Sequence, residues 1–184
     1  MIKGYICRHG QTEGNLNSIS QGWKDSPLTN VGIEHAKKLS FKLSKFGIKK
    51  IISSDIGRAV ETAKIINSQL MKNILLSPEI REITYGEYDG KPDDVLIREN
   101  VGYLSLSYQF PRGESPKMFI ERISKFFSSF EEKPLEAKIF SGSFYDCRGG
   151  WIRQAEYVPN RLYSGTNVNE KSLILRIENK WRLG

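Results

Sequence analysis

Apolar positions follow two rhythms along this chain. Ile2 to Cys7 is a short, β-prone run that breaks at Arg8-His9-Gly10, the pattern of a strand running into a loop. Val31, Ala36, Leu39, Leu43 and Phe46 then recur at helical spacing, with Thr29 before them as N-cap and Gly47 after them as stop. Lys50 to Ser53 reads as a second strand. Asp55 stands where it can cap the next helix, whose stripe is Ala59, Ala63, Ile66 and Leu70. Ile74 to Leu76 is a third strand. Ser115, with Pro116 in the first turn, opens a helix with the stripe Phe119, Ile123, Phe126 and Phe130, and Ser172 to Ile177 is a closing strand. This alternation predicts an α/β fold, a three-layer α/β/α arrangement with a mostly parallel sheet and helices on both faces. Residues 89–112 break it: they are polar, contain Pro92 and Pro111, and hold at most a short helix around Asp93 to Glu99. They read as a lid-like excursion over the carboxyl ends of the strands.

Length and composition narrow the field. The 184 residues suit one domain, and 39% hydrophobic with 27% charged residues is an ordinary soluble composition. No apolar stretch approaches the roughly 20 residues of a membrane span, so no membrane partner is expected. The stretch Met1 to Arg8 carries two cations and is too short an apolar region for a signal peptide, so a cytoplasmic home is expected. The net charge of +7 fits either nucleic acid or a small anion held at one focused site. The lysines are dispersed over the outer faces of helices, with no basic run and no zinc-finger spacing, so no nucleic-acid partner is expected. Cys7 and Cys147 form no C-x-x-C pair. They read as reduced thiols, not bonded to each other and not metal ligands.

Ligands of open α/β sheets bind outside the carboxyl ends of strands. Two strand ends here carry groups suited to a phosphate: Arg8-His9-Gly10-Gln11-Thr12, and Ser53-Ser54-Asp55 followed by Arg58. Arginine supplies a fixed fork of donors, and histidine a titratable nucleophile. Gly10 lets the backbone pass close to a bound group. On these residues alone, a surface Arg–His pair is as good a reading as an anion site.

The longer motifs add to this. Arg8-His9-Gly10-Gln11-Thr12 with Asn15 resembles the opening motif of the histidine phosphatase superfamily, the clan of phosphoglycerate mutases and related phosphatases. The resemblance continues, in order, through Gln21-Gly22-Trp23, Ser26-Pro27-Leu28-Thr29 and Gly32 with Ala36. It goes on through Ser53-Ser54-Asp55 with Arg58-Ala59 and Thr62-Ala63, then Ile80-Arg81-Glu82-Ile83 with Tyr85-Gly86-Glu87 and Gly90. It ends at Gly113-Glu114-Ser115 with Arg122. It implies a single phosphoglycerate mutase-like domain over 1–184 that hydrolyses a small phosphomonoester, with no cofactor and no metal. A homodimer is left open. By the same resemblance His9 is the nucleophile, Arg8 and Arg58 hold the phosphoryl oxygens, and Asn15 contacts the transferred group. Gln21 and Gly22 form a loop that approaches the substrate, and Glu82 protonates the leaving oxygen.

One departure stands out. The family has a second catalytic histidine in a late His-Gly-Gly element, whereas the only other histidine here is His35, inside a predicted helix. The best match to that element, Cys147-Arg148-Gly149-Gly150, puts Arg148 in the histidine's place, as a substrate-binding cation. Residues 139–169 fit the family badly, and Gly142 and Asp146 are poor choices for a buried strand. Natural divergence and a disturbed reading of the gene both account for this. The chain is short for a mutase and its excursion offers only Lys91, Arg98 and Arg112 as extra cations, which favours a phosphatase. A mutase and a catalytically weak relative that binds phosphorylated ligands are the alternatives.

Overall fold

The computed structural model describes residues 4–98, 105–129, 138–142 and 174–177. Among the described residues its main sheet has five strands in the order β4 (Ile74–Leu76), β3 (Lys50–Ser53), β6 (Lys138–Gly142), β1 (Gly4–Arg8) and β7 (Ile174–Ile177). Every pairing is parallel except that of β7, which runs antiparallel to β1. The sheet is therefore mostly parallel, as the alternation predicts. Ile139 to Gly142, expected to fit a buried strand poorly, lies in the central strand. Backbone pairing to β1 on one side and β3 on the other holds it, and Gly142 comes only at its end, opposite Arg8. Residues 143–169, including Cys147 and Arg148, lie outside the described residues.

Side chains alternate across a strand. Tyr5, Cys7 and Ile51 pack on one face with Leu39, Leu43, Ile48, Ala63, Ile66 and Leu70. Ile6 and Ile52, which point the other way, are buried as well, so both faces are covered. Each fully buried large aliphatic side chain contributes about 1.5–3 kcal/mol. After the one-turn helix α1 (Glu13–Leu16), the helical half of this core comes from α2 (Asn30–Leu43) and α3 (Gly57–Leu70), joined by a bond from Ser40 Oγ to the Ile66 carbonyl at 2.6 Å.

Local signals mostly fall where the sequence puts them. Thr29 caps α2 through a bond from Gly32 N–H to its hydroxyl at 3.0 Å. Gly47 takes the left-handed conformation that ends the following 3₁₀ turn, at φ 62°. Ser115 caps α5 (Pro116–Ser128). Three details differ. Val31 is 50% exposed, the inward positions of α2 going to Gly32, Ala36, Leu39, Ser40 and Leu43, and Phe46, 39% exposed, lies on the following 3₁₀ turn with its ring 5.2 Å from that of Tyr5. On α5 it is Phe127 that is buried, with Phe126 only partly so, and Phe130 lies outside the described residues. Asp55 does not cap α3: the N-cap is Ile56, and Asp55 is drawn away by Arg81.

The excursion begins as half of a two-stranded ribbon, β5 (Lys91–Pro92) against β2 (Ile19–Ser20), and continues as α4 (Asp93–Arg98). Leu96 of α4 packs with Ile83 and Phe110, and Tyr85, Tyr88, Tyr108 and Phe119 lie against that cluster. Among the described residues no helix is long and apolar enough to cross a membrane.

Candidate active site

The strand register brings the two polar strand ends level. Cys7 and Ser53 both lie opposite Ser141 of β6, so His9 and the Ser54-Asp55 turn emerge at the same edge of the sheet. His9 is buried, at 7% exposure. Its Nδ1 lies 2.7 Å from the Gly10 carbonyl oxygen. A carbonyl can only accept, so Nδ1 carries the proton and Nε2 keeps its lone pair. Burial, then the charges of Arg58 and Arg8, push the imidazole pKa from its ordinary 6.5 down to about 3. The ring is therefore neutral near pH 7.

The turn that carries His9 is held from two sides. Gly10 N–H donates to Thr62 Oγ1 at 2.9 Å, and the Thr62 hydroxyl donates to the Arg58 carbonyl at 2.7 Å. A side chain at Gly10 would come within 2.8 Å of the Gly32 carbonyl oxygen. The close approach that Gly10 permits is thus to the start of α2.

Arg58, in the first turn of α3, is buried at 2% exposure. Its Nη1 donates to the Lys24 carbonyl and its Nη2 to the Gly22 carbonyl, both at 2.8 Å. Nε–H is buried and finds no acceptor among the described residues. Burial pulls the Arg58 pKa down, and the carboxylates of Glu82, Asp25 and Asp89 oppose that shift. Arg8, at the end of β1, is exposed.

The segment Gln21 to Asp25 is the frame for Arg58. Gly22 sits at φ +51°, and a Cβ there would overlap the Asp89 carboxylate. Asp89 is itself buried. It accepts from Trp23 N–H at 3.0 Å, the Thr84 hydroxyl at 2.8 Å and Tyr85 N–H at 2.8 Å. Asp25 takes the capping role expected of Asp55. Its Oδ1 accepts from Arg58 N–H at 2.9 Å, and its other oxygen occupies the space a Cβ at Gly57 would need. Gln21 is buried against Gly14, and its Oε1 receives the Thr12 hydroxyl at 3.1 Å. Asn15 completes a capping box with Thr12, accepting at Oδ1 from Thr12 N–H at 3.0 Å. That orientation leaves the amide of Asn15 to act as a donor.

Glu82 lies after the 3₁₀ turn Pro78–Ile80. Its carboxyl folds back onto its own chain, Oε1 accepting from Ile83 N–H at 3.1 Å, and its carbonyl accepts Trp23 Nε1–H at 2.8 Å. Arg81 stacks over the Trp23 ring at 4.7 Å and grips Asp55 with two bonds, which holds the Asp55 carboxyl below its usual range. The charges of Arg8 and Arg58 thus act on His9, that of Glu82 acts on Arg58, and the Gly22 carbonyl holds Arg58, whereas the Gln21 side chain is turned to Thr12 and Gly14. His35 sits half-buried on α2. Asp25 and Asp89 were missed by sequence reasoning, because the link each makes to the frame, Asp25 to Arg58 and Asp89 to Trp23, spans more than 30 positions and neither has a motif of its own. Among the described residues no group of three or more His, Cys, Asp or Glu is placed to hold a metal ion.

Comparison with known proteins agrees with this architecture. The "Probable phosphoglycerate mutase GpmB" of Escherichia fergusonii is 34% identical over 140 residues, 73% of this chain and 65% of that protein. The chain therefore spans about two thirds of that curated relative's length. Among solved structures, Bacillus stearothermophilus YhfR superposes with a TM-score of 0.69 at 27% identity, covering 78% of this chain and 74% of that one. A mycobacterial glucosyl-3-phosphoglycerate phosphatase solved with VO3 superposes at 0.68 and 21% identity, covering 77% and 75%, a likeness of fold. The sequence profile of the histidine phosphatase superfamily (branch 1) matches residues 5–141 and stops just before the late element in which Arg148 stands. With more than half of its length matched in this way, the chain belongs to the histidine phosphatase superfamily.

Proposed function

We propose that this protein hydrolyses a small phosphomonoester, without a metal, through a phosphohistidine at His9. The observation that carries the reading is Arg58. A buried guanidinium with an unmatched Nε–H needs an acceptor, and a phosphoryl oxygen is one. It stands at the same strand ends as a histidine held neutral with Nε2 available. His9 Nε2 attacks phosphorus, the bond to the ester oxygen breaks, and that oxygen takes its proton from the Glu82 carboxyl. Arg8 and Arg58 spread the charge of the phosphoryl group in flight, and the Asn15 amide adds a donor. Water then attacks the phosphohistidine and gives a proton to the Glu82 carboxylate. Inorganic phosphate leaves with both residues restored.

Arg148, outside the described residues, stands in for the second histidine in this proposal. A fixed cation there tightens phosphate binding in the ground state without helping the chemical step. Turnover is then slow, and Arg148→His raises it. The GpmB relative's name supports a second reading, a phosphoglycerate mutase.

The test is hydrolysis of p-nitrophenyl phosphate by the wild type and His9→Ala, with acid-quench trapping of a phosphorylated intermediate. A trapped phosphoryl group on His9 and loss of activity in the variant are expected. Equal rates in the two proteins would sink the proposal. Interconversion of phosphoglycerates with no release of inorganic phosphate would favour the mutase.

A further inference from the structure

Gly113-Glu114-Ser115 with Arg122 has no part in the chemistry above. Arg122, on α5, is bound entirely to other parts of the protein. Its Nε and Nη2 form a two-point pair with the Glu114 carboxylate at 2.7 and 2.6 Å. Nη1 donates to the carbonyls of Glu79 at 2.9 Å and Arg81 at 3.1 Å, and Nη2 also donates to that of Glu82 at 3.4 Å. These five bonds use all five N–H groups of a guanidinium, so nothing remains for a substrate. One face of the group lies on the Phe119 ring, 5.3 Å from its centroid. Glu114 is tied in turn to Thr84 by two backbone contacts, its carboxylate to Thr84 N–H at 3.3 Å and its N–H to the Thr84 carbonyl at 3.0 Å. The chain on both sides of Glu82 is therefore fastened to one ion pair.

We infer that Arg122, held by Glu114, is a positioning residue for the acid Glu82. The inference rests on the role proposed for Glu82 above. One oxygen of the Glu82 carboxyl is held by its own main chain, through the Ile83 N–H. That main chain is fixed by Arg122 and the Trp23 indole. A point charge on a flexible stem cannot serve three carbonyls and both oxygens of a carboxylate at once. With lysine at 122 the segment around Glu82 loosens, while Arg58 keeps its direct bonds to the Gly22 and Lys24 carbonyls.

The experiment compares leaving groups. p-Nitrophenolate departs without a proton, whereas an alkoxide requires one. The wild type, Glu82→Gln and Arg122→Lys are assayed on p-nitrophenyl phosphate and on glycerol phosphate, with vanadate inhibition as the measure of the phosphoryl site. Arg122→Lys should lose at least about tenfold more rate on the alkyl ester than on the aryl ester, a part of the 10²–10⁴ that a general acid contributes. Glu82→Gln should show the same bias, and vanadate affinity should stay within about twofold of wild type in Arg122→Lys, as a positioning role requires. Equal losses on both esters, or vanadate binding lost in parallel, would make Arg122 a structural residue and overturn the inference. A Glu82→Gln variant with no leaving-group bias would remove Glu82 as the acid, and the inference with it. Should Arg122→Lys fail to fold, Glu114→Gln, which releases the same guanidinium, gives the same comparison and is decided by the same outcomes.

Discussion

His9 should make the stability of this protein sensitive to mild acid. Its pKa is pushed from an ordinary 6.5 in the unfolded chain down to about 3 in the native state, chiefly by burial. The stability it contributes is therefore present above pH 6.5 and is lost progressively as pH falls toward 3, because the unfolded chain takes up a proton that the native state refuses. At about 1.36 kcal/mol per pKa unit, going from pH 7 to pH 4.5 should cost about 2–3 kcal/mol through His9 alone. That is a large share of the 5–15 kcal/mol that holds a typical domain together. The matched variant is His9→Asn, which keeps a donor for the Gly10 carbonyl and cannot titrate. Urea unfolding of both proteins at the two pH values isolates the effect. Carboxylates such as Asp55, whose pKa is lowered by its bond to Arg81, also lose their contribution in acid, but they do so equally in both proteins. With a slope of about 2 kcal/mol per molar urea, the wild-type midpoint should fall about 1 M further than that of the variant. Saturating phosphate should shrink the difference by offsetting the charges of Arg8 and Arg58. If the two proteins lose the same stability to within about 0.5 kcal/mol, a scatter ordinary for such comparisons, then His9 is not buried beside two arginines and the site as described is wrong.

Two further outcomes follow from the packing. Gly57→Ala should destabilise by about 1–3 kcal/mol, since the new methyl meets the Asp25 carboxylate. In an Asp25→Ala background the same change should be neutral or stabilising, because the obstacle is gone and alanine favours the helix by about 1 kcal/mol. Denaturant curves of the four proteins decide this, and a stabilising Gly57→Ala by itself would contradict it. Cys7, fully buried with its thiol pushed up to about 12, should resist iodoacetamide in the native protein at pH 8 and react in urea, read by mass spectrometry of its peptide. Alkylation at the same rate in both conditions would show that β1 opens easily.

What could be read from the sequence was whatever local chemistry decides. A hydroxyl three residues before a free N–H makes the Thr29 and Ser115 caps, and Gly47 ends the 3₁₀ turn that follows α2. The stripe Ala59, Ala63, Ile66 and Leu70 is buried as its spacing requires, and the ordered motifs pointed to the family that matches residues 5–141. Tertiary structure decided the partners. Asp55 was a reasonable cap until Arg81, 26 positions on, offered a stronger bond. The free N–H of Arg58 then went to Asp25, which the fold brings to the N-terminus of α3. Ile139 to Gly142 looked unsuited to a core strand because its residues were weighed one at a time. Ladder bonds to β1 and β3 depend on neighbours that no local window contains. The reason is the same in each case. Caps, turns and helical faces are set by atoms a few residues apart, whereas a charge or a strand end takes whichever partner the folded chain puts within about 3 Å.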